Sequence, residues 1–267
     1  MPRQQWLGVG ADGRGLSYVD FGGDGRVMMA LHGSFGRGAI FARLAGDLRG
    51  LVRVVAPDQR GHGYSDHRGG FGREEFIGDA AAFVRGLGAG PVVVLGHSLG
   101  GITAYQLAAR HPDLVSALII EDVGPVLRQP QIARPVLDVR GWPRQAATRQ
   151  QLERLILGRG VPEAGYFMNS AVLDGGRWRL LFDWDQMMAV QEGGVGDWWA
   201  DWLGSSCPAL VLRAGHSTLL DAGLARQMVT RRPNTRLAEF PSAGHWIHDD
   251  DPSGFARAIT AFLTEVG

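Results

Sequence analysis

Pro91-Val92-Val93-Val94-Leu95-Gly96-His97-Ser98-Leu99-Gly100-Gly101 joins an uninterrupted apolar run to a serine flanked by glycines and then to a helical stretch. The run Pro91–Leu95 is short and β-branched, as in strands buried on both faces. Leu99 to about Arg110 reads as a helix that Pro112 stops. Ser98 therefore lies on a sharp strand-to-helix turn, whose strained backbone only small neighbours tolerate. The turn pushes its hydroxyl beyond the strand end, beside a helix N-terminus where negative charge is favoured. The Gly96–Gly100 spacing occurs once in the chain, and this context makes Ser98 a candidate nucleophile.

Strand and helix signals alternate on either side of this turn. Leu16–Phe21 and Val27–Leu31 read as strands joined by a hairpin turn at Gly22, Gly23, Asp24 and Gly25. Leu51–Ala56 reads as a strand, Glu74–Leu87 as a helix, and Leu118–Ile120 as a buried strand ending at Glu121 and Asp122. The last third offers strand Pro208–Arg213, helix Asp221–Thr230, strand Thr235–Phe240 and a final helix from about Pro252 to Leu263, capped by Asp251. Such alternation predicts an α/β fold with a doubly wound, mostly parallel sheet. Residues 124–205 break the rhythm. They hold six of the eight tryptophans and two helical patches, Gln150–Leu157 and Asp185–Val190. The reading is a helical cap (124–205) inserted into a core made of 1–123 and 206–267.

Composition narrows the function classes. The 267 residues carry 27 basic and 27 acidic groups, so no positive field advertises nucleic acid or an anionic membrane. All 27 basic residues are arginine, which excludes a lysine Schiff base and a phosphate-loop lysine. Cys207 is the single cysteine and reads as structural. His62 and His67 with Asp66 hint at a metal motif, but Arg60 stands where a further histidine is needed, and no metal is expected. Met1-Pro2-Arg3-Gln4-Gln5-Trp6 lacks a leader-like apolar run, and no stretch approaches the ~18 apolar residues of a membrane span. A soluble cytoplasmic protein, monomeric or a small homo-oligomer, is the expectation.

A serine hydroxyl needs a histidine base, itself oriented by a carboxylate. Of eight histidines, His245 stands in Ala243-Gly244-His245-Trp246 between the last strand and last helix, where a loop can reach Ser98. His111 and His248 read as structural.

Four segments together resemble the α/β-hydrolase family over essentially the whole chain: His32-Gly33-Ser34-Phe35-Gly36, Asp58-Gln59-Arg60-Gly61-His62-Gly63-Tyr64-Ser65, Gly96-His97-Ser98-Leu99-Gly100-Gly101, and Gly244-His245. The resemblance implies an eight-stranded, mostly parallel sheet flanked by helices, with the cap inserted after the sixth strand. It implies Ser98 as nucleophile, His245 as base, and an oxyanion hole from the backbone N–H groups of Ser34 and Leu99. Most relatives place the acid after the penultimate strand, but here that position is Thr218, which carries no charge. Other members place it one strand earlier, where Asp122 stands. Asp122 is the favoured acid, with Asp221 and Glu121 as alternatives. His216 beside Thr218 reads as a surface-loop histidine.

These residues imply acyl transfer to Ser98 followed by hydrolysis, with no cofactor. Relatives that attack with a carboxylate are set aside, because position 98 is serine. The expected substrate is a carboxylic ester or lactone of moderate size and low polarity, in a pocket drawn from Phe35, His97, Trp142, Phe167, Trp184, Met187 and Trp246. Arg140, Arg144, Arg177 and Arg179 read as solvated lid surface. Thioester and carbon–carbon hydrolysis stay open on the same residues. So does a binding protein on this scaffold with little turnover.

Overall fold

The computed structural model describes residues 4–10 and 13–267, so Met1, Pro2 and Arg3 of the N-terminal reading lie outside the described residues. The first part of the chain forms β1 (Gln4–Gly8), β2 (Gly15–Asp20), β3 (Arg26–Leu31), α1 (Ala42–Asp47), β4 (Val52–Pro57), α2 (Arg73–Leu87), β5 (Val92–His97), α3 (Leu99–Arg110) and β6 (Val115–Glu121). The insertion follows with β7 (Val126–Leu127), β8 (Gln145–Ala146), α4 (Arg149–Leu157), α5 (Gly165–Met168), β9 (Ala171–Asp174), β10 (Arg177–Leu180), α6 (Trp184–Gly194), β11 (Gly196–Asp197) and α7 (Trp199–Leu203). The chain returns to the sheet through β12 (Ala209–Ala214), α8 (Ala222–Arg231), β13 (Thr235–Phe240), α9 (Ile247–Asp250) and α10 (Pro252–Glu265).

Eight strands form one sheet in the order β1-β2-β4-β3-β5-β6-β12-β13. The β1–β2 and β2–β4 pairs are antiparallel, and every pair from β4 to β13 is parallel. Side chains along β5 alternate between two cores, which explains its unbroken apolar run. Val92 and Val94 join the cluster under α2, α3 and α8, while Val93 and Leu95 join the one under α1 and α10. Asp221 and Asp251 cap α8 and α10 through side-chain bonds to backbone N–H groups, and Pro252 occupies the first helical turn.

The expected hairpin between the first two strand signals does not form. β4 lies between β2 and β3, pairing antiparallel with one and parallel with the other. The glycine-rich turn at 22–25 thus carries the chain past a strand laid down later. The insertion is also less purely helical than expected, since β8, β10 and β9 make a small antiparallel sheet beside α4. Its apolar side chains form a third core against Phe35, Phe76 and Leu99. Among the described residues, no helix is long and apolar enough to cross a membrane.

Candidate active site

Parallel strands deliver the site residues at their C-terminal ends, as in open α/β sheets generally. Ser98 follows β5 at φ 52° and ψ −118°, a strained conformation for a residue with a side chain. Its N–H donates to the Glu121 carbonyl, and its own carbonyl accepts from Gly101 and Ile102. The turn closes because its neighbours lack side chains. A Cβ on Gly96 would stand 2.3 Å from the Gly100 carbonyl oxygen, and one on Gly100 would stand 2.2 Å from that of Leu31. Leu99 opens α3, so its N–H lacks an acceptor within the helix. Ser34 and Leu99 line the same cavity as Ser98.

Of the three candidate acids, Asp122 is the one brought to His245. Its Oδ2 accepts from His245 Nδ1 at 2.8 Å. The same oxygen accepts from Ser217 Oγ at 2.7 Å, and Oδ1 accepts from the Ala214 N–H at 2.9 Å. Asp122 is fully buried, at φ 49°. Glu121, one residue earlier, points elsewhere: its Oε1 accepts from the N–H and Nδ1 of His248 at 3.0 and 2.8 Å. Asp221 spends its carboxylate on the first turn of α8. Thr218 lines the cavity wall, as does His216, which is an exposed loop residue.

The loop bearing His245 is pinned at three points. Glu121 holds His248, Asp250 Oδ2 accepts from the Gly244 N–H at 2.7 Å, and His97 Nε2 donates to the His245 carbonyl at 3.0 Å. Burial, reinforced by His245 and His248, pushes the pKa of His97 well down, so its ring stays neutral.

Ser34, Ser98, Leu99 and His245 open onto a cavity of about 860 Å³, roofed by cap residues including Leu137, Val161, Phe167 and Val190. Phe35, His97, Phe167 and Trp246 line it, and Trp142, Trp184 and Met187 do not. Trp142 is buried behind the wall, its ring 5.0 Å from that of Phe167. Met187 is fully buried in the cap core. Trp184 lies under the Arg144 guanidinium and faces a separate hollow of about 330 Å³. The other cap tryptophans also serve packing: Trp202 is buried against Tyr105, and Arg231 covers Trp199. Large rings fill a small core before they reach a pocket, and composition cannot separate these uses.

Tyr166, Leu219 and Ser217 escaped the sequence reading. Ser217 left one usable signal, a hydroxyl beside the vacant acid position. Arg140 and Arg179 pair with Asp138 and Asp174 on the exposed lid. Arg134, Glu163 and Asp250 are the charged side chains on the cavity lining. Burial, with Asp250 and Asp249 nearby, raises the Glu163 pKa. His62 Nδ1 rests on the Arg60 carbonyl and His67 Nδ1 on Gln186. Among the described residues, no three His, Cys, Asp or Glu side chains are grouped to hold a metal ion.

The profile of the alpha/beta hydrolase family matches residues 29–258. Among curated relatives, the sn-1-specific diacylglycerol lipase ABHD11 of Mus musculus is 31% identical over 269 residues, covering 93% of this chain and 85% of that one. The 2-(acetamidomethylene)succinate hydrolase of Mesorhizobium japonicum is 27% identical, covering 90% and 89%. A crystal structure of E-2-(acetamidomethylene)succinate hydrolase superposes with a TM-score of 0.89 at 24% identity, over 99% of this chain and 100% of that one.

Proposed function

The chain belongs to the alpha/beta hydrolase family, and from that premise we propose that it is a serine hydrolase that cleaves a carboxylic ester or lactone of moderate size and low polarity. The observation that carries this reading is the 2.8 Å contact of His245 Nδ1 with Asp122, beside a strained Ser98 on the same cavity. At this contact Nδ1 must carry the proton it donates to the carboxylate, so in the neutral ring Nε2 is left as the base.

In this mechanism His245 takes the Ser98 proton as Oγ attacks the carbonyl carbon. The N–H groups of Ser34 and Leu99 receive the negative oxygen, each worth about 2.7–4 kcal/mol of transition-state stabilisation. His245 then protonates the leaving alcohol oxygen, leaving an acyl group on Ser98. Water enters and gives a proton to His245 as its oxygen attacks the acyl carbon; the bond to Ser98 Oγ then breaks, His245 returns the proton to Oγ, and the acid leaves. Asp122 holds the imidazole tautomer and stabilises its charged form without itself being protonated.

The cap, residues 124–205, sets specificity in this proposal. It roofs the cavity with Leu137, Val161, Phe167 and Val190, which supports an apolar acyl or alcohol group. Thioester or carbon–carbon hydrolysis would use the same serine and oxyanion donors. A ligand-binding role with little turnover would leave them idle. Initial rates on p-nitrophenyl acetate, butyrate and octanoate, for wild type and Ser98→Ala, separate these readings. Steady turnover that Ser98→Ala abolishes is expected, with a chain-length trend set by the cavity. Equal background rates for both proteins would overturn ester hydrolysis.

A further inference from the structure

We propose that two cap residues, Tyr166 and Ser170, are positioning residues for the oxyanion loop 33–36, so that the cap shapes the catalytic centre as well as roofing it. The inference rests on the serine-hydrolase reading and adds to it. Ser170, buried, donates its hydroxyl to the carbonyl of Phe35. Phe35 holds φ 70°, and its ring packs 5.3 and 5.4 Å from the rings of Phe167 and Phe182. Such a backbone conformation persists only where its surroundings over-determine it, and here the cap supplies them. It lies next to Ser34, the proposed oxyanion donor.

Tyr166 meets three of the loops that carry the proposed catalytic groups. Its ring stacks on Trp246, beside His245, at 5.2 Å and 26°. It also stands edge-on to His97, beside Ser98, at 5.7 Å. Its buried hydroxyl pushes into the oxyanion loop, against the Gly33 backbone. A Cβ on Gly36 would lie 2.3 Å from that oxygen, and one on Gly33 would lie 3.0 Å away. Neither glycine has a positive φ. Room for the cap tyrosine, rather than backbone freedom, therefore accounts for glycine at position 36, while at 33 the His97 ring, 2.6 Å from the same Cβ, crowds as well. A buried hydroxyl held this closely against the loop backbone acts, in this proposal, as a wedge that sets the loop.

The test uses p-nitrophenyl acetate, whose acyl group is too small to lean on the cap, and a simple alkylboronic acid, which forms a tetrahedral adduct on serine. Ser170→Ala should lower kcat on acetate about tenfold with KM little changed, because a displaced donor costs transition-state binding. Boronic acid affinity should weaken by the same factor, and Ser170→Thr, which keeps the hydroxyl, should restore both. Gly36→Ala should lower kcat in the wild-type background but much less in a Tyr166→Leu background, since the clash has gone. If Ser170→Ala does not fold, Gly36→Ala with and without Tyr166→Leu carries the same test.

Unchanged kcat and boronic acid affinity in these variants, with effects confined to KM for longer esters, would overturn the proposal in favour of simple pocket lining. Wild-type turnover insensitive to Ser98→Ala, with no boronic acid binding, would instead overturn the serine-hydrolase reading and this inference with it.

Discussion

Ser217 donates its hydroxyl proton to Asp122 Oδ2 at 2.7 Å. The direction is fixed, because Ser217 Oγ already accepts from the N–H groups of Leu219 and Leu220 at 3.1 and 2.9 Å. The loop after β12 thus contributes a hydroxyl to the carboxylate proposed as the acid, which follows the preceding strand β6. Ser217→Ala removes this donor and leaves two backbone N–H groups without their acceptor. We expect kcat to fall about tenfold with KM unchanged, a stability loss of about 1–2 kcal/mol by urea unfolding, and recovery of both in Ser217→Thr.

Asp122 and Asp221 were both candidates for the acid, and their surroundings predict opposite phenotypes. Asp122→Asn keeps the shape but presents an amide to His245 Nδ1, disfavouring the tautomer that leaves Nε2 free. A kcat loss of about ten-thousandfold is expected by analogy with other triads. Asp221→Ala removes the α8 cap, costing about 1 kcal/mol of stability with kcat intact. Steady-state rates with denaturant curves on both variants check this, and a large kcat loss in the Asp221 variant would reverse the assignment.

Much of this was legible in the sequence, for physical reasons. β5 and Ser98 announce themselves because burial on both faces demands an unbroken apolar run and the tight turn demands glycines. Asp221 and Asp251 mark helix starts because capping is local chemistry. What failed depends on distant residues. Gly22–Gly25 looks like a hairpin turn until β4, some 30 residues on, takes the place between its strands. β1 was invisible because its exposed, mixed residues Gln4-Gln5-Trp6-Leu7-Gly8 carry no apolar pattern. Composition offers Trp142 and Trp184 for the pocket, but both pack outside the cavity lining. Tyr166 had no local signal, since the role proposed for it depends on glycines about 130 residues away.

His248 and Glu121 link stability to pH. Burial by itself would depress the His248 pKa, but the Glu121 carboxylate, with Asp249 and Asp250, outweighs it and the net shift is upward from 6.5. A histidine pKa raised in the fold adds stability that is complete below the unfolded value and is lost as pH rises through the folded one. His62 works the other way: burial pushes it down to about 4, and its contribution is lost as pH falls below 6.5. Glu121→Gln should therefore destabilise the protein most at pH 6 and progressively less toward pH 9 in urea unfolding. A wild-type-to-variant difference that grows with pH would contradict the pairing.

Trp202 and Phe167 separate the packing role of cap aromatics from the lining role. Trp202 is fully buried against the main core, its Nε1–H donating to the Met228 carbonyl at 3.1 Å, and it does not line the cavity. Trp202→Ala should cost about 3–5 kcal/mol through lost burial and the cavity left behind. The fraction that remains folded should keep its KM. Phe167 lines the active-site cavity and contacts Phe35 and Trp246. Phe167→Leu, which keeps an apolar side chain, should cost little stability yet raise KM for p-nitrophenyl octanoate more than for acetate, because only the longer chain reaches the roof. The two variants, compared by urea unfolding and by KM across chain length, should fall on different axes. If Trp202→Ala instead changed chain-length preference without loss of stability, the tryptophan would belong to the pocket after all.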